Sequence, residues 1–296
     1  MKMNYLLHII ILLEIFVILS VSANMIIGMT NLLTMAQAAF FAIGAYTTAG
    51  LLITYNMDFL YVLPLIMIFS GLSALPISAA VLRGKNISGD YFMLITLGFQ
   101  MIVYNLLYNW VEITNGPYGI SGIPSPTFLY FIKLNTKQNF TIFSTLLTLA
   151  VILISNALMK SHYGTILKGI RDDEMSVKVL GKRPQLQKLK LFIISSAGAG
   201  LAGAVFAGYV RYIDPSSFNL DQTILILTAV LIGGSGSKIS GPITGALFVI
   251  IPFEFLRFLG IPNYFSANLT QIIYGLLIIL LMFIRPWGIA GEERSI

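Results

Sequence analysis

Residues 4–22, NYLLHIIILLEIFVILSVS, decide the class of fold. Glu14 is the only charged side chain in this run, and an apolar run of that length is long enough to cross a bilayer as a helix. Similar apolar runs follow at about 37–55, 59–82, 88–110, 140–160, 189–211, 220–235, 240–257 and 268–284. Hydrophobic residues make up 57% of the chain and charged residues 10%, against about 25% charged in a soluble domain. We therefore predict an all-α polytopic membrane protein whose single transmembrane domain covers residues 1–296.

The composition also excludes several kinds of site. The chain has no cysteine, which excludes disulfides and thiolate metal ligands. His8 and His162 lie too far apart in the sequence to indicate a zinc site, so no metal site is predicted. Backbone groups inside hydrocarbon must be satisfied within the protein, and long apolar runs punctuated by Gly and Pro favour helices over a barrel.

Charge placement predicts the topology. Arg83 and Lys85 mark a short basic loop, which the positive-inside rule assigns to the cytoplasm together with Lys2. Two segments on the same side of the membrane must be separated by an even number of crossings. Both assignments therefore hold only if residues 23–35 cross the membrane as a separate short or broken helix. This gives about ten spans with both termini cytoplasmic, and it places 14 of the 18 basic residues inside. Because the basic residues sort by side of the membrane, the net charge of +6 does not indicate nucleic-acid binding.

Two loops stand out. An outer loop covers residues 111–139 and an inner loop covers residues 161–190, which is the most charged stretch of the chain. The inner loop holds three consecutive acids, Asp172, Asp173 and Glu174. It is the place where an inside partner is expected to bind.

The inner loop predicts a short helix outside the bilayer. One of its two aspartates is a typical N-cap, and Glu174 precedes Lys178 by four residues, the favourable order for a surface ion pair. Gly181 follows as a left-handed C-terminal residue, and Pro184 prevents the helix from continuing. From these residues alone, a solvated linker helix and a docking helix both remain open.

Several short motifs follow one another along the chain in a recognisable order: Gln37–Tyr46, Gly89–Tyr91, Thr96–Phe99, Asn109–Trp110, Thr114–Pro117, Gly119–Pro124, Gly169–Glu174, Gly181 and Arg285–Gly288. In these motifs the chain resembles the membrane permeases of ABC transporters, and in particular the M-type permeases for branched-chain amino acids. The sequence departs from the family pattern at Gln100, where an acidic residue is common, and at 174–177, where two alanines are usual.

The resemblance implies an ABC importer permease fold and a function. The inner helix would couple to an ATPase through Arg171, Asp172, Asp173, Glu174, Lys178 and Gly181. The outer loop would face an extracytoplasmic binding protein through Asn115, Gly116, Pro117, Gly119 and Gly122. The implied partners are a second related permease, two cytoplasmic ATP-binding subunits and that binding protein, in a bacterial-type cytoplasmic membrane. The implied substrates are leucine, isoleucine and valine, with urea, amides or other amino acids as alternatives.

The chain is not predicted to be an enzyme. Gly164 and Gly169 have the glycine spacing of a P-loop, but Ile170 and Arg171 stand where that motif requires Lys and Ser or Thr. We expect no cofactor in this chain and expect ATP with Mg²⁺ to bind the partner ATPases.

A translocation path is predicted from polar residues in apolar spans. Thr96, Gln100 and Tyr104 recur every four residues and so share one helix face. Helix breaks, whose backbone groups can line a cavity, are predicted around Asn31 to Gln37 and at Gly233 and Gly234. The alternative for both features is helix packing through hydrogen bonds and small residues.

A stand-alone secondary transporter or channel is the rival class of protein. It requires a site for a coupling ion, and Glu14 is the lone acid near the centre of a predicted span.

Overall fold

The computed structural model describes residues 2–83, 89–128, 132–236, 238–258 and 288–290, together with isolated positions between 269 and 283. The helices of the described residues are α1 (Lys2–Thr30), α2 (Gln37–Tyr55), α3 (Phe59–Ser73), α4 (Leu75–Arg83), α5 (Gly89–Asn109), α6 (Val111–Thr114), α7 (Lys137–Lys160), α8 (His162–Asp172), α9 (Glu174–Val179), α10 (Pro184–Val210), α11 (Leu220–Gly233) and α12 (Ser240–Phe258).

Seven helical segments of the described residues are long and apolar enough to cross a membrane. They lie at 3–30, 37–55, 59–79, 89–109, 137–160, 184–210 and 215–233, and a shorter apolar helix covers 240–252. The prediction of an all-α, multi-pass membrane protein is therefore confirmed. The span predicted at 268–284 falls largely outside the described residues.

The outer loops carry short strands. β1 (Ile120–Ser121) pairs antiparallel with β4 (Tyr212–Ile213), and β2 (Thr127–Phe128) pairs antiparallel with β3 (Ile132–Lys133). A 3-10 turn covers Gly116–Tyr118, and a second covers Pro215–Phe218. The β1–β4 pair joins the outer loop to the segment that follows α10.

Helix α10 is the centre of the bundle and packs against α1, α2 and α3. Glycines bring α2 and α10 into backbone contact: a Cβ on Gly44 would lie 2.1 Å from the carbonyl oxygen of Gly200. One turn further along α10, a Cβ on Gly203 would lie 2.2 Å from the carbonyl oxygen of Phe41. Small residues allow this close approach, which is a main source of packing energy between helices in lipid.

The separate crossing predicted for residues 23–35 is wrong. Helix α1 runs without interruption to Thr30 and ends at Asn31, whose φ of 55° is left-handed. Two polar residues of this segment, Asn24 and Thr30, are hydrogen-bonded within the bundle. The Asn24 side chain exchanges hydrogen bonds with Gly236, donating to its carbonyl oxygen (3.1 Å) and accepting from its N–H (3.2 Å), and the Thr30 hydroxyl donates to the carbonyl of Ile26.

The same geometry places the N-terminal end of α1 beside the outer loop rather than beside the inner loop. His8 lies 2.7 Å from the Tyr209 hydroxyl, at the end of α10 that carries the outer strands. At the other end of α1, Arg171 of the inner loop donates to the carbonyl oxygen of Gly28 at 3.0 Å. A single crossing in place of two reverses the parity, so the Lys2 end of α1 lies on the outer-loop side. The predicted position of the C-terminus concerns residues outside the described part of the chain.

Candidate coupling site and translocation path

Helix α9 of the inner loop has both of its ends defined by local hydrogen bonds. Asp173 is the N-cap, and its carboxylate accepts from the N–H of Met175 and from the hydroxyl of Ser176. At the other end, the N–H of Gly181 donates to the carbonyl of Lys178, and the N–H of Lys182 donates to that of Val177. This is a Schellman motif, in which Gly181 has the left-handed φ of 76° that the sequence predicted. The predicted helix is confirmed.

Glu174 forms two ion pairs rather than the one that was predicted. Its carboxylate lies 3.2 Å from the Lys178 ammonium and 2.7 Å from that of Lys188 near the start of α10. Burial acts to raise the pKa of Glu174, but the hydrogen bonds and charges of the two lysines outweigh it and hold the pKa below its ordinary value. The Ser176 hydroxyl and the backbone N–H groups likewise lower the pKa of Asp173. Both carboxylates are therefore charged at neutral pH.

Arg171 connects the inner loop to the membrane bundle. Its side chain is mostly buried, and in addition to the bond to Gly28 it pairs with Asp172 at 3.2 Å. Helix α8 buries Leu167 and Ile170, and Val177 of α9 packs against Gly169. The short α9 is thus attached to α1 through α8 and to α10 through Lys188.

The exposed surface of α9 is apolar, although this helix lies outside the membrane-crossing helices. Met175, Val179 and Leu180 are 66%, 82% and 77% exposed. Asp172, beside them in the sequence, has a side chain that is 65% exposed. Clustered exposed apolar side chains are common at surfaces that bind other molecules.

The polar face predicted on α5 divides into a buried half and an exposed half. Thr96 is buried, and its hydroxyl oxygen accepts from the N–H of Met35 in the linker after α1. Gln100 is 1% exposed, and its amide nitrogen donates to the carbonyl of Phe218 at 2.9 Å. Tyr104 is half-buried and stacks on the exposed Tyr108, with ring centroids 6.1 Å apart. The inner half of the face therefore contacts neighbouring segments, whereas the outer half faces away from the chain.

Gln37 lies at the start of α2, where the first helix break was predicted. Its amide nitrogen donates to the Ser195 hydroxyl at 3.1 Å, and that hydroxyl donates to the carbonyl of Ser22. Asn31, at the other end of the linker, is exposed. Within the described part of the chain, the amide oxygens of Gln37 and Gln100 are buried without a hydrogen-bond partner. Such orphaned acceptors are costly, and at functional sites they indicate a ligand or water.

Gly233 and Gly234 form the predicted break between α11 and α12. A Cβ on Gly233 would lie 1.9 Å from the carbonyl oxygen of Gly241, and one on Gly245 would lie 1.7 Å from that of Ala229. Gly234 has a φ of 99° and is contacted by Gly288. These glycines bring the two helices into backbone contact, as packing residues do.

The outer-loop glycines hold left-handed turns. Asn115 has a φ of 60°, and its side-chain amide donates to the carbonyl of Gly119 at 2.8 Å. Gly116 and Pro117 form the 3-10 turn, and Gly119 approaches the backbone of Ile213. Gly122, also at positive φ, has open space around it. The residues predicted to face a binding protein thus form one defined loop.

Glu14 is held by side chains of a neighbouring helix. Ser144 and Thr145 of α7 both donate hydroxyl hydrogen bonds to its carboxylate, the latter at 2.5 Å. The carboxylate is buried, and these bonds join α1 to α7. A link between two helices explains this residue without a coupling ion.

Sequence reasoning missed Phe218, Lys188 and the contact between Arg171 and Gly28. Phe218 lies in a linker with no periodic pattern, and its neighbours come from α2, α5 and α10. Lys188 carried a usable signal, because it lies in the charged inner loop about one turn after the start of α10 at Pro184. The other two contacts depend on segments more than a hundred residues apart.

The bundle of long apolar helices defines a multi-pass membrane protein. A family model described as branched-chain amino acid transport system, permease component, matches residues 5–282, and the chain belongs to that family.

Named relatives agree with this assignment. The high-affinity branched-chain amino acid transport system permease protein LivM of Escherichia coli is 34% identical over 95% of this chain and 68% of its own length. A probable LivM permease of Methanocaldococcus jannaschii is 25% identical over 73% of this chain and 64% of its own. The fructose import permease protein FrcC of Rhizobium meliloti is 27% identical over 66% of this chain and 54% of its own. No solved structure matches with comparable significance.

Proposed function

We propose that this chain is the M-type permease subunit of an ATP-driven importer that moves leucine, isoleucine and valine inward by alternating access. The family assignment and the identity to the E. coli permease over nearly the whole chain support this function. The chain acts as one transmembrane domain in a bacterial-type cytoplasmic membrane, with residues 161–183 on the cytoplasmic side.

The transporter is an assembly in this proposal. A second related permease pairs with this chain, two cytoplasmic subunits bind ATP with Mg²⁺ and hydrolyse it, and an extracytoplasmic binding protein delivers the solute. The binding protein contacts the loop from Asn115 to Gly122. The polar outer half of α5, which faces away from this chain, supports a position for that helix beside the second permease or the path.

Helix α9 is the docking element for the ATPase, and one observation carries this: its exposed apolar surface lies outside the bilayer. Met175, Val179 and Leu180 would enter a groove of the ATPase, with the neighbouring acids setting the orientation. Docking of an amphipathic helix in a groove is a recurrent mode of protein recognition.

Motion of the ATPase would pass from α9 to the bundle along two connections. One runs through Lys188 into α10, and the other runs through α8 and Arg171 to the end of α1. These two helices contact each other and most of the bundle, so a shift of their inner ends would change the packing around Gln37 and Thr96. We place the inner part of the path at these residues, and the backbone contact at Gly233 and Gly234 would act as a hinge.

The test is co-purification of the tagged permease with its ATPase subunit after co-expression. We expect Val179→Glu with Leu180→Glu to remove most of the ATPase and to abolish leucine uptake, because charges would be buried in an apolar interface. Thr165→Glu is the matched control, since Thr165 is exposed on α8 in the same loop and outside the apolar surface. Full ATPase recovery with the double variant would overturn the docking role of α9.

Uptake measurements test the substrate and the class of transporter. Leucine uptake into vesicles should require the ATPase subunits and should be inhibited by isoleucine and valine rather than by urea. Uptake that persists without any ATPase would favour a stand-alone transporter or channel.

A further inference from the structure

Phe218 occupies an aromatic cage built by two helices, α2 and α10. It lies in the 3-10 turn Pro215–Phe218 between α10 and α11 and is 1% exposed. Its ring contacts Phe41 and Tyr46 of α2 and Phe206 of α10, with centroid distances of 5.0, 6.0 and 5.8 Å. A linker residue on the outer-loop side thus fills an aromatic space inside the bundle.

Two polar atoms beside Phe218 lack partners. The Gln100 amide nitrogen donates to the Phe218 carbonyl, but in the described part of the chain the amide oxygen is buried without a hydrogen bond. The Tyr46 hydroxyl, on a side chain that contacts the Phe218 ring, is also buried and unpartnered there. A buried amide with a free acceptor normally costs free energy, and the cost is recovered when a ligand completes its bonds.

We propose that Phe218 takes the place of the solute when the chain is closed. Its ring occupies the subsite for the apolar side chain of the solute, and the hydrogen bond from Gln100 holds the 215–218 turn in place. When the 215–218 turn withdraws, the cage of Phe41, Tyr46 and Phe206 accepts a branched aliphatic side chain of similar hydrophobicity. The released Gln100 amide then offers a donor to the carboxylate and an acceptor to the ammonium group of an α-amino acid. The solute therefore replaces interactions that the closed chain already makes, so that the cage is not left empty.

The choice of an amino acid as the ligand rests on the proposed import function. The gate, which is Phe218 on the 215–218 turn, rests on the packing alone. Because the chain has no cysteine, a single introduced thiol reports on access to the cage without a background signal. Ala42 suits this purpose, since it is 1% exposed and lies one turn from Tyr46 on the same face of α2.

The experiment measures the rate at which a membrane-impermeant thiosulfonate labels Ala42→Cys from the outer side. We expect slow labelling with Phe218 present and at least about tenfold faster labelling after Phe218→Ala, with an intermediate rate for Phe218→Leu. Phe206→Ala is the matched control, because it removes the same ring volume from the cage but lies on α10 and not on the linker. Equal rates with and without Phe218, or an equal gain in the Phe206 control, would overturn the gate.

Ligand protection tests the subsite. Leucine should slow labelling of the Phe218→Leu protein, whereas fructose and urea should not. Leucine uptake by the wild-type transporter is measured in parallel. If the transporter takes up leucine but leucine does not protect the introduced cysteine, the proposed subsite is wrong and the import function stands. If leucine is not taken up, the import function fails, and the labelling rates alone test whether Phe218 acts as a gate.

Discussion

Replacing Gly44 with alanine tests the packing on which the whole bundle depends. The added Cβ would lie 2.1 Å from the carbonyl oxygen of Gly200 and 2.6 Å from its Cα. Contacts of a Cβ below 3.0 Å are essentially never seen, so α2 and α10 must separate by about 1 Å. Both clashing atoms belong to the backbone, and no side chain can rotate to relieve them.

The cost follows from that separation. Overpacking of a close-packed site costs about 1–3 kcal/mol, and a backbone clash falls at the upper end. Alanine recovers about 1 kcal/mol through its better helix propensity. The net loss for Gly44→Ala is therefore about 2 kcal/mol, or roughly a 30-fold change in the folded-to-unfolded ratio.

Gly50→Ala on the same helix is the matched control. No atom lies within 4 Å of its added Cβ, so this variant should gain about 1 kcal/mol from propensity alone. Unfolding of the two purified variants in the same detergent, followed by circular dichroism, should separate them by about 3 kcal/mol. A Gly44→Ala protein as stable as the Gly50→Ala protein would refute the α2–α10 contact.

Three further outcomes are expected. The ion pairs lower the pKa of Glu174 from its ordinary value of 4.5, so they stabilise α9 fully at pH values above 4.5. Hydrogen-exchange protection of α9 should therefore fall as the pH drops below that value and through the lowered pKa. Glu174→Gln should be less protected at neutral pH and should lack that fall. Gln100→Leu leaves the Phe218 carbonyl unpaired and should lower the free energy of unfolding by about 1–3 kcal/mol, measured by thermal unfolding. Leucine uptake per folded molecule of this variant should also drop, and unchanged uptake would show that Gln100 serves only in packing. Gly234→Val places a β-branched residue at a φ of 99°, a strain of about 1–3 kcal/mol. We expect it to abolish uptake while Gly236→Ala, which has open space, does not; uptake retained by the valine variant would show that Gly234 is not a hinge.

Features built from neighbouring residues were predictable. The N-cap at Asp173, the Glu174–Lys178 pair and the left-handed Gly181 all involve groups within a few positions of one another, so their signals are complete in the sequence. The crossing helices were equally predictable, because hydrocarbon requires a long apolar run whatever the neighbours are. The resemblance to the permease family added the coupling role, which no local pattern contained.

Features that depend on distant partners were predicted poorly. Residues 23–35 include the polar Asn24 and Thr30, and the sequence does not say that Gly236 satisfies one and the carbonyl of Ile26 the other. The positive-inside rule had placed Lys2 on the same side as Arg83 and Lys85, and an even number of crossings then required residues 23–35 to cross. The folded chain lacks that crossing, because α1 continues without a break to Thr30.

The sequence by itself determined that this protein is a helical membrane protein with a capped inner helix, because apolar length, caps and ion-pair spacing act locally, and its resemblance to the permease family indicated the transport role. Tertiary structure alone decided what those elements contact: Gly44 against Gly200, Arg171 on the end of α1, and Phe218 inside an aromatic cage. The physical reason is that a buried polar residue in an apolar helix costs free energy until it forms a hydrogen bond, and a small residue stabilises the helix only when another backbone packs against it. That partner comes from a segment far along the chain, and only the folded bundle brings the two together.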